Sequence, residues 1–464
     1  MPKPSTMTVG LICTMSPELH DTWGEEVKAP SQQRFDQARA LLQSLGVKVV
    51  DPAEFTTSYE KGLQHGRMLR AAGIDVLVVY VARWSYGSSV VATARECAVP
   101  VVVWTDTDVA QVGIVGASVV RGSLDEAGLT NCLVYGDFDD PATQQALALR
   151  VLGAAAGMHL RDQVYGLMGS RSLGMYTSAV DANQWQRQFG LDVESWDQSE
   201  VIEKARSLPD SAVAEQFHWA RQEFGSIRVK DEVMLAAMKL YLASKEIIAR
   251  RGFDFVSVRC LPETPGMFTT FCYTIALLND TSDADGQKEA ICCSCESDSN
   301  GALTMQILKH LGGAPVMFGD IRTVRLDEKE AWISNCGSQA TQLAASRKQV
   351  HWVEHGFQEF EWKIGGAAQQ AVNKPGRVTL ARLTRQAGEY VMLIAGGECQ
   401  PYPLEKLQET FWGFSPHAFV RLDADPRAFA QELRSNHLSL VYGDFVPHLV
   451  ETCRVLGIRS LIVA

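Results

Sequence analysis

The strongest constraint on the fold is a series of Val-rich apolar segments, each too short for a helix and each followed by an amphipathic stretch. Residues 8–13, 47–50, 75–80 and 99–104 are such segments, with helical patterns over 33–45 and 88–97 between them. Strands that read as unbroken apolar runs and are spaced by helices form βαβ units, with a parallel sheet covered on both faces. A helical pattern over 142–158 leads out of this first third. A second α/β unit opens with a strand over 162–169 that runs into the glycine-bearing loop 170–175. It continues through a helix over 230–251 and a strand over 253–258. From about residue 313 the texture changes: 316–319, 378–383, 389–395 and 418–422 are short and separated by turn residues, as in an antiparallel barrel or sandwich. The tail returns to a strand over 438–442, a helix over 446–456 and a strand over 460–463, and no internal repeat interrupts the chain.

At 464 residues the length corresponds to roughly three domains. The formal charge of −11 argues against a nucleic-acid partner, which needs a basic surface, and gives no attraction to an anionic membrane. No apolar run reaches the ~20 residues that span a bilayer. The N-terminus leads straight into a strand, without the longer apolar stretch of a signal peptide. Eleven cysteines, an odd number scattered through apolar segments, point to reduced thiols in a cytoplasmic protein. Cys292, Cys293 and Cys295 read as part of a buried strand rather than a soft-metal site.

Chemistry concentrates in Cys295-Glu296-Ser297-Asp298-Ser299-Asn300-Gly301-Ala302-Leu303-Thr304-Met305, where a buried strand gives way to an apolar helix through two acidic residues. Carboxylates there are costly unless paired or bound to a cation. Strand ends of open α/β sheets are also where ligands gather. The competing reading is an ordinary helix start, with Asp298 or Asn300 as the N-cap. Glu263 follows the 253–258 strand, flanked by Pro262 and Pro265, so Glu263 and Asp298 lie at comparable strand ends that open on one edge of a parallel sheet. His437 precedes the 438–442 strand. Two carboxylates and an imidazole suit Mn²⁺ or a related divalent ion with open positions for substrate oxygens. The glycines of the 170–175 loop lack dinucleotide spacing, and no Gly-Lys-Ser/Thr follows, so nucleotide binding is not indicated.

These residues resemble the L-fucose isomerase family, in its shorter L-fucose/L-arabinose isomerase-like branch. The likeness rests on Gly169-Ser170-Arg171-Ser172-Leu173-Gly174-Met175 with Asp181 downstream, on Cys260-Leu261-Pro262-Glu263 and on the Cys295–Met305 segment. It continues with Gly319-Asp320-Ile321-Arg322 and a C-terminal element from Asn436-His437 through Gly443 to Leu456-Gly457-Ile458. The first third matches only in its α/β pattern. The resemblance implies two Rossmann-like α/β domains, 1–160 and 161–312, followed by a C-terminal antiparallel β-barrel domain over 313–464. It implies an Mn²⁺-dependent aldose–ketose isomerase that works through an ene-diol on an open-chain sugar. In this chain the metal roles would fall on Glu263, Asp298 and His437, with Glu263 and Asp298 as the acid/base pair. Asp298 is placed ahead of Glu296 on the motif as a whole, while the spacing from Asp298 to Gly301, tighter than in longer members, leaves Glu296 as the alternative ligand. Arg171, Trp84, Asn436 and His417 are the substrate-binding candidates, with Trp84 closing the pocket of a neighbouring subunit in a homotrimer or homohexamer. Ser334-Asn335-Cys336-Gly337-Ser338 departs from relatives that carry a His before Cys-Gly. Two competing readings are an isomerase or epimerase for an acidic or sulfonated sugar on the same scaffold, and a non-catalytic sugar-binding or regulatory protein.

Overall fold

The Val-rich segments of the first third do form a parallel sheet. The computed structural model describes residues 7–22, 24–313, 315–357, 363–410 and 412–463. In it β1 (Thr8–Thr14), β2 (Lys48–Val50), β3 (Val76–Val81), β4 (Val101–Thr105) and β5 (Asn131–Tyr135) lie in the order β2-β1-β3-β4-β5. Every neighbouring pair is parallel. β1, β3 and β4 are buried at every position, which is why they lack the alternation of a half-exposed strand. This sheet belongs to a compact unit of Lys3–His159 that also takes in Pro447–Leu456. Thr452 Oγ1 there donates to the Gly153 carbonyl at 2.7 Å, and buried Glu451 pairs with Arg150 and Arg454.

The second unit holds Leu160–Val446 and Gly457–Ala464. Four parallel strands, β6 (Val164–Met168), β7 (Asp192–Trp196), β8 (Phe255–Ser257) and β9 (Cys293–Ser294), run in the order β9-β8-β6-β7. β9 leads into the helix Ser299–Gly312, which is buried over nearly its whole length. Its burial on opposite faces has a plain cause: it lies between two sheets. Tyr165 of β6 donates to Ser299 Oγ at 2.9 Å, and on the other side the backbone N–H of Leu383 donates to Thr304 Oγ1 at 3.0 Å.

Leu383 lies in a ten-stranded sheet. Its centre comprises β10 (Met317–Arg325), β11 (Glu330–Ser334), β12 (Gly376–Gln386), β13 (Glu389–Cys399), β14 (Pro416–Leu422) and β15 (His437–Tyr442). These pair antiparallel in the order β13-β12-β15-β10-β11-β14, and β13 also pairs with β14 through Gly397↔Leu422 to Cys399↔Val420. Met317, Leu380, Leu393, Val420 and Leu440 form part of the core beneath them. The sequence predicts an all-antiparallel domain here, but the sheet is mixed. Arg459–Val463 joins β13 in parallel, and Ala367–Val372 joins β14 in parallel. Arg459–Val463 reaches β13 through a helical crossover, Val446–Val455, and Ala367–Val372 pairs with β14, a strand far from it in sequence.

All eleven cysteines are free and buried. Among the described residues no helix is long and apolar enough to cross a membrane.

Candidate functional site

A row of polar side chains crosses the centre of the large sheet. His437 opens β15 and stands opposite Asp320 of β10; Asp320 stands opposite Ser334 of β11, and Ser334 opposite His417 of β14. Directly opposed residues of antiparallel strands share a face, so the register alone puts these four groups side by side. All four are buried.

His437 is held from both sides. Its Nδ1 lies 2.7 Å from Asp298 Oδ2. Asp298 is the N-cap of the Ser299–Gly312 helix and accepts the Gly301 N–H at 2.9 Å. The guanidinium of Arg382, on β12, grips the same carboxylate at 2.6 and 3.1 Å. Burial would raise the Asp298 carboxyl, but the Arg382 charge and the His437 ring hold it well below the usual carboxylate range. Asp298 is therefore a fixed anion whose two oxygens are both engaged. Carboxylates in this position set the tautomer and orientation of a metal-binding imidazole.

The other ring nitrogen faces Glu296 and Asp320. His437 Nε2 is 3.3 Å from Glu296 Oε2 and 3.7 Å from Asp320 Oδ1, yet it is fully buried and makes no hydrogen bond. Glu296 reaches this place through a left-handed turn, with φ of 61° at Glu296 and 52° at Ser297. Two successive L-residues in that region cost about 1–2 kcal/mol each. The turn is tied down by Ser297, whose N–H donates to the Val258 carbonyl at 3.0 Å and whose Oγ donates to the Met168 carbonyl at 2.6 Å. Burial raises the Glu296 carboxyl above its ordinary value against the pull of His437. Asp320 Oδ1 accepts from Asn436 Nδ2 at 2.9 Å, and its Oδ2 faces Arg322 at 3.3 Å. Burial disfavours a charged imidazole, but Asp298 and Glu296, with Asp320 beyond, push His437 up to about 10.

The expected trio is thus brought together only in part. Asp298 and His437 meet, but Glu263 does not join them. It sits in the short helix Glu263–Met267 with its side chain 40% exposed, and its carboxylate pairs with Arg259. None of its hydrogen bonds or ion pairs reaches Asp298 or His437. The two carboxylates facing His437 Nε2 are instead Glu296, the alternative in the sequence, and Asp320, which lay in a quoted motif without a role. Asn436 lies at the site, through Asp320. His417 lies at the far end of the row, where its Nδ1 donates to the Ser415 carbonyl at 2.9 Å and burial lowers its pKa to about 4. Arg171 is exposed and stacks over Tyr176 at 4.4 Å, with no tie to the His437 cluster. Trp84 belongs to the other unit, where it is 39% exposed.

Sequence reasoning missed Arg382 and Arg322. Arg382 left a signal: a charged residue in the middle of the mostly apolar segment 378–383 has to meet a buried anion. An imidazole nitrogen beside two carboxylates, at 3.3 and 3.7 Å, is a donor set that fits a divalent cation of intermediate hardness.

Comparison with known proteins places the chain among sugar isomerases by family. The L-fucose isomerase C-terminal domain matches residues 333–463, and the first N-terminal domain of L-fucose isomerase matches residues 32–157. Sulfoquinovose isomerase of Priestia megaterium is 22% identical over 424 residues, 89% of this chain and 91% of that protein. Sulfoquinovose isomerase of Clostridium sp. is 24% identical over 93% of this chain and 95% of its own length. L-fucose isomerase of Streptococcus pneumoniae is 23% identical over 59% of this chain and 53% of its own length. Among solved structures, a periplasmic solute binding protein from Actinobacillus succinogenes with bound D-allose covers 67% of this chain at 12% identity, but its TM-score of 0.17 carries no inference. Fold and site define an α/β protein with a buried carboxylate–imidazole centre. The chain belongs to the L-fucose isomerase family.

Proposed function

We propose that this chain is an aldose–ketose isomerase that uses a divalent cation, with Mn²⁺ the leading candidate, held by Glu296, Asp320 and His437. The observation that carries the reading is His437 Nε2: a buried imidazole nitrogen with no hydrogen bond, aimed at two carboxylates. When bound, the cation would polarise the oxygens on the first two sugar carbons and stabilise the negative charge of the ene-diol.

The protein's own groups do the remaining work. Glu296, buried beside His437 at the proposed cation position, would take a proton from one of those carbons and return it to the other. Asp320, steadied by Asn436 and Arg322, would handle the hydroxyl proton from the opposite side. Asp298 and Arg382 keep the imidazole oriented and take no part in proton transfer. This assignment replaces Glu263 and Asp298, expected from the sequence, with Glu296 and Asp320.

The substrate reading favours an anionic sugar. Relatives named sulfoquinovose isomerase align over 83–93% of the chain, against 59% for those named L-fucose isomerase. A three-part division, a barrel closed by the β13–β14 pairing, a homotrimer or homohexamer with Trp84 at a subunit boundary, and a cytoplasmic location complete the proposal. The test is proton NMR in D₂O with Mn²⁺, using sulfoquinovose, L-fucose and a panel of aldopentoses. Ketose formation with loss of the C2 proton signal, abolished by chelation, is the expected result. Sugar binding with no exchange at C2 for any of them would favour the non-catalytic reading and overturn this one.

A further inference from the structure

Behind Glu296 lies a group of thiols with no part in the chemistry above. Cys295 directly follows β9 and Cys336 lies just beyond β11, so two elements deliver sulfur to one place. The two Sγ atoms and a Glu296 carboxylate oxygen all lie within 4.8 Å of one another, and all three residues are buried. Cys336 is held by its loop, because Asn335 Oδ1 accepts the N–H groups of Gly337 and Ser338 at 3.2 and 3.1 Å. Cys272, which opens the helix Cys272–Asn279, and the His355 ring contact Cys336 from the far side, and Cys260 contacts Cys295. A Cβ at Gly337 would stand 2.8 Å from Cys272 Sγ and 3.1 Å from His355 Nε2, so glycine keeps this space open. His355 Nδ1 accepts the Phe357 N–H at 3.3 Å, which leaves the proton on Nε2 and makes this ring a hydrogen-bond donor to sulfur rather than a ligand.

We propose that Cys295, Cys336 and Glu296 form a binding position for a thiophilic divalent cation, Zn²⁺ or Cd²⁺, with Cys272 beside Cys336 and Cys260 beside Cys295 as further sulfurs. Two sulfurs beside one carboxylate select a soft or borderline ion over Mg²⁺ or Mn²⁺. The position shares Glu296 with the proposed Mn²⁺ centre, so a soft ion would draw that carboxylate away. The consequence for activity rests on the function proposed above, but the binding position itself does not.

The experiment uses reduced, chelator-treated full-length protein titrated with Cd²⁺ alone and followed by sulfur-to-metal charge-transfer absorption. One equivalent should generate the band. Cys336→Ser and Cys295→Ser should each remove it, and Cys399→Ser, outside the cluster, should keep it. Glu296→Gln should keep the band while weakening affinity by about 10-fold or more. Cys295→Ala and Cys336→Ala, with circular dichroism of all variants, separate lost ligands from lost folding. No band in folded wild-type protein, or a band that survives in folded variants of both cysteines, overturns the proposal. A band in protein that fails to bind Mn²⁺ would sink the proposed isomerase centre and leave this position standing.

Discussion

Arg382→Met is the most informative test of how the site is built. The Arg382 and Asp298 side chains are 2% and 0% exposed, so neither charge has water to fall back on. Methionine keeps much of the aliphatic stem and removes both prongs of the ion pair, leaving Asp298 with the Gly301 N–H and the His437 ring. Removing one partner of a buried pair costs about 3–5 kcal/mol, because the remaining charge is stranded. The surviving imidazole contact places this case near the lower end, about 3 kcal/mol. At about 2–4 °C per kcal/mol for a domain of this order, the unfolding midpoint should fall by roughly 6–12 °C. The assay is thermal and urea unfolding of Arg382→Met, Asp298→Asn and the double variant, read as a double-mutant cycle. The double variant should recover at least about 2 kcal/mol relative to additivity, since neutralising Asp298 removes the stranded charge. A loss below about 1 kcal/mol for Arg382→Met, or strict additivity, would refute the claim that the pair is a buried, interdependent unit.

Gly301→Ala should disturb the same unit without touching a charge: an added Cβ would lie 2.4 Å from the Phe318 ring and 3.0 Å from both Arg382 Nη1 and Asp298 Cγ. Urea unfolding should register a loss of about 1–3 kcal/mol, and an unchanged midpoint would contradict the packing described. Asn436→Ala removes the hydrogen bond to Asp320 Oδ1 and should weaken Mn²⁺ binding by about 10–100-fold, read by calorimetry; unchanged affinity would show that Asp320 needs no such support. His417 gives a pH dependence with a definite sign. Burial depresses it from 6.5 to about 4, so between those values the unfolded chain binds the proton first and stability falls as pH falls. The full effect is about 3 kcal/mol, so unfolding of wild type against His417→Gln should diverge by nearly that amount towards pH 4; parallel profiles would rule it out.

The parallel sheet of the first unit was legible in the sequence because strands buried on both faces leave unbroken Val-rich runs. The antiparallel heart of the large sheet was legible from short segments and turn residues. Its mixed margins were not, because Arg459–Val463 and Ala367–Val372 take parallel partners, β13 and β14, that are distant in sequence and leave no local signature. Part of the proposed centre was singled out in the sequence. Asp298 and His437 were singled out and do meet, but the proposed split between ligands and a steadying carboxylate has no local sequence signal. That distinction depends on Arg382 arriving from β12 to occupy both Asp298 oxygens. It depends equally on a left-handed turn at Glu296 and on the register that sets Asp320 opposite His437. Glu263 stood out because prolines flank it, yet its short helix carries it to Arg259.

Mn²⁺ affinity of chelator-treated protein, measured by electron paramagnetic resonance across Glu296→Gln, Asp320→Asn, His437→Ala and Glu263→Gln, bears most directly on the proposed centre. The first three should each weaken binding by at least about 100-fold, more than loss of a supporting residue would, while Glu263→Gln should bind as wild type does. Binding that vanishes in Glu263→Gln and persists in Glu296→Gln and Asp320→Asn would contradict it.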